Sequence, residues 1–409
     1  MSVIKIESAL CAHNYHPLPV VLTRGEDSWL WDDRGRCYLD MTSAYSAVSH
    51  GHSHPRLVAA LCNQASQLAI VSRAFHTETL APFIEKLCAV SGFDMALPMN
   101  TGAEAVETAI KAARRWGYRV KGIKDGAAEI IVAEGNFLGR TTTIVGFSSD
   151  DEYRDGFGPF TPGFRTVPFG DAKALEAAIT PETCAVLVEP IQGEAGIRVP
   201  PAGWLRDLRR ICDDHNVLLI LDEIQSGLGR TGKMFCFEHD GIRPDALILG
   251  KALGGGMMPV SAFLADREVM ELFDPGSHGS TFGGNPLAAA VALEALKILE
   301  DEELVARSAA LGDYMADRLR SLQSPLITDV RGRGLWIGVE FDPRCVSARV
   351  ICECLMERGI LTKETHQTVV RFAPPLVVEL DQIDLAVDAL GDVLNEVEGE
   401  LGLTLVEPA

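Results

Sequence analysis

At 409 residues, 47% of them hydrophobic, the chain is long enough to bury one large core and a smaller second one. A net charge of −20 and a pI near 4.9 weigh against nucleic acid or an anionic membrane as partner and leave small metabolites. Ten cysteines without a C-x-x-C pair suggest neither a zinc site nor a disulfide framework and fit a reducing cytoplasm.

The first residues, Met1 to Glu7, lack the apolar core of a signal peptide and the Arg-rich character of a transit peptide. No window approaches the roughly 18 apolar residues of a membrane span. His50, His52 and His54 alternate in a Gly- and Pro-containing turn with no nearby cysteine or carboxylate, which argues against a metal site. Asn100-Thr101-Gly102-Ala103-Glu104 leads into a helix whose apolar stripe is Val106, Ala109, Ile110 and Ala113. A glycine turn at a helix N-terminus offers free N–H groups and the positive dipole end to an anion. Glu129 to Ala133 reads as a strand that delivers Phe137 to its carboxyl edge, and Ala185 to Glu189 as a second strand. Trp204 to His215 reads as a helix before a third strand, Val217 to Leu221, which ends in Asp222-Glu223. The glycines of Gly227-Leu228-Gly229-Arg230-Thr231-Gly232 imitate a dinucleotide fingerprint, but four residues separate them from the strand and an aromatic run follows instead of a helix. A fourth strand, Ala246 to Leu249, runs into Lys251 and the glycines 254–256. His278 to Pro286 is too polar and glycine-rich for core and reads as an ordered loop. Leu287 to Leu322 is helical in pattern, and Asp329 to Phe341 with Thr368 to Phe372 supplies strands of a C-terminal lobe. The alternation predicts an α/β fold with a mostly parallel sheet, the ligand edge lying at the strands' carboxyl ends. We divide the chain into an N-terminal segment (1–45), a large domain (46–300) and a small α+β domain (301–409).

Lys251 and Asp222 decide the chemistry, because each sits at the carboxyl end of an apolar strand, where a charge packs poorly. An amine able to form a Schiff base and a carboxylate able to hold a pyridinium proton are the two groups that pyridoxal phosphate asks of its protein. The run from Asp222 to Gly232, followed by the lysine segment, resembles the signature of class III pyridoxal-phosphate aminotransferases. The resemblance implies a fold-type I protein with a seven-stranded sheet, pyridoxal 5'-phosphate as cofactor, and a homodimer or dimer-based oligomer. It also implies that the histidine turn is the lead-in to the large domain. Thr101, Gly102 and Ala103 would bind the phosphate, Phe137 and Ile224 would pack on the two ring faces, and Gln225 would bond the ring hydroxyl. Thr281 would reach the phosphate of the neighbouring subunit.

Four further segments narrow the reading: Ala12 to Val20, Ser43 to Val48, Trp116 to Gly122 and Arg371 to Leu376 are similar to family members that act on the δ-amine of L-ornithine with 2-oxoglutarate as acceptor and L-glutamate as product. By that resemblance Tyr15 and Arg140 bind the α-amino and carboxylate groups, and Tyr45 shapes the pocket for ornithine. Glu194 masks Arg371 in one half-reaction and releases it in the other. Leu138 departs from the pattern, where the relatives compared carry tryptophan. The start of the chain, near the mature end of mitochondrial relatives, suggests a bacterial or cytosolic form. Other readings stay open: an ω-aminotransferase for acetylornithine, 4-aminobutyrate or lysine, a racemase or aminomutase on the same scaffold, or a non-catalytic cofactor-binding protein, against which Lys251 and Asp222 speak.

Overall fold

The computed structural model describes residues 2–402; Met1 of the N-terminal segment and residues 403–409 at the end of the expected small domain lie outside the described residues. The central sheet has seven strands, in the spatial order Met95–Met99, Ser261–Ala265, Ala246–Leu249, Leu218–Asp222, Thr183–Val188, Glu129–Ala133 and Phe164–Val167. Ser261–Ala265 runs antiparallel to both neighbours, and the remaining pairs are parallel, so the sheet is mostly parallel as the βαβ rhythm implies. Its inner strands read as largely continuous apolar runs because both faces are covered, whereas the edge strand Phe164–Val167 exposes Arg165 and Thr166. On one face lies the helix Gly102–Trp116, with Val106, Ala109, Ile110 and Ala113 at 0 to 2% exposure, and on the other the helix Trp204–Asp214.

The C-terminal lobe is built on a four-stranded antiparallel sheet in the order Ile327–Gly332, Ile337–Phe341, Val369–Phe372, Lys363–Thr365. A second four-stranded sheet joins Leu22–Glu26, Trp29–Asp32 and Cys37–Asp40 to the short strand Ile360–Leu361, so the chain's first strands are hydrogen-bonded to its last lobe. That pairing carries Ser43 to Ser46 back to the large domain's ligand edge. The Arg230 guanidinium, fully buried, ties the three regions together: it donates to Ser43 Oγ (3.1 Å), Ser49 Oγ (3.0 Å), Leu335 O (2.8 Å) and Pro374 O (2.6 Å).

The histidines of the turn are absorbed by structure. His50 bonds Ala295 O, His52 bonds Asp40, and His54 bonds Glu302 while its ring accepts from Arg56 N–H at the start of the helix Pro55–Ala65. No helix among the described residues is long and apolar enough to cross a membrane.

Candidate active site

Lys251 follows the strand Ala246–Leu249 and adopts a left-handed backbone (φ 44°), a conformation that costs a non-glycine residue about 1–2 kcal/mol. Its side chain enters a cavity of about 200 Å3 that is also lined by Gly102, Phe137, Glu189, Asp222, Ile224 and Gln225. Burial pushes the lysine amine below its ordinary value, with Glu194 and Asp222 working in the other direction. Asp222, at the end of Leu218–Asp222, is 5% exposed, and its Oδ1 accepts the Ile224 N–H at 2.9 Å. No donor among the described residues reaches Oδ2. Burial raises this carboxyl to about 7, against the pull of the Ile224 N–H and Lys251. A cationic ring nitrogen is the partner this carboxylate lacks.

The second half of the cradle is the N-terminus of Gly102–Trp116. Thr101 and Glu104 form a reciprocal cap, Thr101 Oγ1 accepting from Glu104 N–H (3.3 Å) and Glu104 Oε2 from Thr101 N–H (2.7 Å). The N–H groups of Gly102 and Ala103 find no acceptor among the described residues, so both remain for an anion. A Cβ at Gly102 would stand 2.8 Å from Ile224 Cδ1, which is why the turn is glycine. A buried amine, an unmatched buried carboxylate and two free N–H donors around one cavity fit pyridoxal phosphate. The glycines 227–232 contribute no such cradle; they surround buried Arg230.

Glu194 and Arg371 form a bidentate pair at 2.9 and 2.6 Å beside this cavity, with Arg371 at 3% exposure. Burial pushes Glu194 upward, but the Arg371 guanidinium outweighs it and holds the carboxyl at about 2. Tyr45 lies over the pair, the Arg371 Cζ standing 5.2 Å from its ring centroid. Tyr45 belongs to four consecutive residues, Ser43 to Ser46, with φ between 41° and 74°. Asp40 Oδ1, accepting from Thr42 and Ser43 N–H, and Ser43 Oγ, donating to Ala373 O, fasten this turn. The Gln225 amide donates to Tyr45 O (3.3 Å) and Glu194 Oε1 (3.4 Å).

A larger cavity of about 530 Å3 opens outward from Phe137, Tyr153 and Glu194. Two residues that line it, Tyr153 and Phe137, hold exposed Arg140 against their ring faces, its Cζ 3.9 Å from the Tyr153 centroid and 5.5 Å from that of Phe137. The structure thus gathers Gly102, Ala103, Phe137, Asp222, Ile224, Gln225 and Lys251 around one cavity, with Arg140, Glu194, Arg371 and Tyr45 beside it. Tyr15, 79% exposed, lines neither cavity but lies near enough to Tyr45 to add to the upward push on its phenol, and Thr281 sits on an exposed loop outside both cavities. Leu138, buried at 3% exposure, packs in the core and also lines the cavity that Lys251 enters.

Two neighbours were not singled out from the sequence. Glu189, 7% exposed, accepts from Phe137 N–H (2.9 Å) and Gly193 N–H (3.3 Å), fixing both loops. Burial, then Asp222, raises it to about 8. Its signal was an acid at a strand's end, as for Asp222. Tyr153 lies in an irregular turn and left no such signal.

The family model for aminotransferase class III matches residues 10–394. The chain belongs to that family. It is 56% identical over 393 residues to ornithine aminotransferase 2 of Staphylococcus aureus, covering 96% of this chain and 98% of that one. A solved ornithine aminotransferase from Toxoplasma gondii superposes with a TM-score of 0.96 at 43% identity, covering 97% of this chain and 94% of that one. An acetylornithine aminotransferase from Elizabethkingia anophelis gives a TM-score of 0.88 at 46% identity, covering 96% and 98%. The fold-type I architecture and dependence on pyridoxal 5'-phosphate follow with the family.

Proposed function

We propose that this aminotransferase moves the δ-amino group of L-ornithine to 2-oxoglutarate, giving L-glutamate and glutamate 5-semialdehyde, which cyclises to pyrroline-5-carboxylate. The observation that carries the reading is the Glu194–Arg371 pair. It neutralises the buried guanidinium beside Lys251, so the inner pocket accepts a substrate end that bears no carboxylate. Arg140, which makes no ion pair among the described residues, is left for the carboxylate at the outer end. The ornithine aminotransferases among the relatives favour the same donor over acetylornithine, 4-aminobutyrate or lysine, and over a racemase or aminomutase.

Pyridoxal 5'-phosphate, when bound, supplies a carbonyl that carries the amino group between substrates and a ring that withdraws electrons. Gly102 and Ala103 N–H groups hold its phosphate, with Thr101 capping the helix. Phe137 and Ile224 pack on the ring faces, and Gln225 bonds its hydroxyl. The Asp222 carboxylate keeps a proton on the ring nitrogen. The Lys251 amine, whose proton affinity burial has lowered, would move a proton between the substrate carbon that bears the amino group and the cofactor carbon, forward with one substrate and back with the other. Tyr15 and Tyr45 flank the α-amino-acid end. When 2-oxoglutarate or glutamate enters, Glu194 swings from Arg371 and frees it for an α-carboxylate. Thr281 bonds the phosphate held by a second subunit, which makes the protein a homodimer. A cytoplasmic location and a division into residues 1–45, 46–300 and 301–409 complete the reading.

A screen of amino donors with 2-oxoglutarate, trapping the cyclic imine, tests it. Ornithine should exceed acetylornithine, 4-aminobutyrate and lysine in kcat/KM, and no turnover should occur without an acceptor. Preference for any other donor overturns the ornithine assignment.

A further inference from the structure

Arg140 is an exposed guanidinium without a hydrogen bond or ion pair among the described residues, yet it is not loose. Its Cζ stands over ring faces, chiefly that of Tyr153, at 3.9 Å from the centroid. We propose that Tyr153 is a positioning residue for substrate recognition: it holds Arg140 by its face, leaving every N–H of the guanidinium free to grip a carboxylate in the plane.

A carboxylate partner within the protein would hold Arg140 equally well but would occupy the two-pronged edge that a substrate carboxylate needs. An aromatic face supplies attraction and orientation while using no donor. Three features hold Tyr153 there. Its ring meets Phe137 edge to face, with centroids 6.0 Å apart and planes at 79°. Its backbone closes a tight turn, Asp151–Tyr153, in which Asp150 Oδ1 accepts the Glu152 N–H at 2.9 Å and Asp150 O accepts the Tyr153 N–H at 3.2 Å. That turn is fastened to the loop that carries Phe137 after the strand Glu129–Ala133, because Ser149 Oγ accepts the Gly135 N–H at 2.8 Å and Asn136 donates to Ala133 O and Phe147 O. The phenol makes no hydrogen bond among the described residues, so the ring face and not the hydroxyl is what the site uses. The geometry repeats on the other side of the cavity, where Tyr45 faces Arg371; there the guanidinium's edge is already taken by Glu194.

The inference rests on Arg140 being the carboxylate's partner, and the test separates the two. In the holoenzyme, kcat and KM for L-ornithine are measured for Tyr153→Leu, Tyr153→Met, Tyr153→Phe, Arg140→Gln and the Arg140→Gln/Tyr153→Leu double variant. Loss of the face should raise KM about tenfold with kcat nearly unchanged in both the leucine and methionine variants, the size expected of a partly desolvated cation–π contact. Phenylalanine should restore KM to within about twofold of wild type, and the double variant should be no worse than Arg140→Gln alone. Arg140→Gln raising KM while Tyr153→Leu and Tyr153→Met leave it unchanged overturns the role of Tyr153 alone. So does a tenfold loss in Tyr153→Phe, or a leucine effect that adds fully to that of Arg140→Gln. An unchanged KM in Arg140→Gln overturns the carboxylate reading itself and this inference with it.

Discussion

Replacing Glu194 by alanine should invert the preference between the two half-reactions. Holding the carboxyl at about 2 instead of 4.5 corresponds to about 3 kcal/mol in favour of the ionised, paired form, at about 1.4 kcal/mol per tenfold. That is the net of the pull of Arg371 over the burial penalty, and it sets the scale of what a substrate carboxylate must overcome before it can use Arg371. Without Glu194 the guanidinium is open to every α-carboxylate, and about 3 kcal/mol converts to at most a few hundredfold gain. The variant should therefore speed the glutamate half-reaction relative to the ornithine one by between tenfold and a hundredfold, and it should let ornithine react at its α-amine. Removing one partner of a buried pair also costs stability, typically about 3–5 kcal/mol. The cost here should fall at the low end, because the Glu194 side chain is 22% exposed and borders the outer cavity, from which water can reach the orphaned Arg371. Rapid-mixing single-turnover kinetics with each amino donor, followed at the cofactor's absorbance, give the ratio directly. Glu194→Gln, which keeps the volume and one hydrogen bond, should move it less. A ratio equal to that of wild type would mean that the pair is a static contact and that substrate carboxylates never compete for Arg371.

Lys251→Ala should abolish multiple turnover while cofactor still binds through the N–H groups of Gly102 and Ala103; retained turnover would remove Lys251 from the proton transfer. In the cofactor-free protein Asp222 sits at about 7 and Glu189 at about 8, above the ordinary 3.8 and 4.5. These two groups then bind more protons in the native state than in the unfolded one, so their contribution to stability should be full near pH 4 and fall away as pH rises to about 8; Glu223, raised to about 8, acts the same way, whereas His50, lowered to about 4, opposes them below pH 6.5. Asp222→Asn should flatten that fall in thermal melts and cut holoenzyme turnover severely, and an unchanged melting profile would refute the burial argument. Tyr45→Ile should lower ornithine efficiency and raise relative use of 4-aminobutyrate, read as the ratio of kcat/KM for the two donors. Gly193→Ala would place a methyl 1.5 Å from Gln225 Oε1 and 2.8 Å from Trp336, so it should displace Gln225 and weaken cofactor binding in an equilibrium titration; unaltered affinity would deny Gln225 a place at the ring.

What could be read from the sequence was whatever a short stretch of chain encodes by itself. Glu129–Ala133 and Ala246–Leu249 fall where the apolar runs 130–133 and 246–249 place them, since a run buried on both faces has no polar residue inside it. Thr183–Val188 starts two residues before its reading, and Leu218–Asp222 ends one residue later, taking in the aspartate. The cap at Thr101 and Glu104 is likewise local, and so the anion cradle was legible. Tyr153 and Glu189 were not, for different reasons. Glu189 carries a local mark, the strand end, but its importance comes from receiving the N–H groups of two separate loops. Tyr153 carries none, because its ring meets Arg140 only after the loop 148–153 is tied back to residues 133–137. The left-handed turn at Ser43 to Ser46 is the extreme case. Nothing in Ser-Ala-Tyr-Ser asks for four positive φ values, which would cost several kcal/mol in an isolated chain. Asp40, Ala373 and Arg230 impose them, and two of these lie far along the sequence. Tyr45 is therefore held against Arg371 by the closure of the N-terminal strands onto the C-terminal lobe, and any donor selectivity exerted from this position would depend on contacts more than 180 residues away.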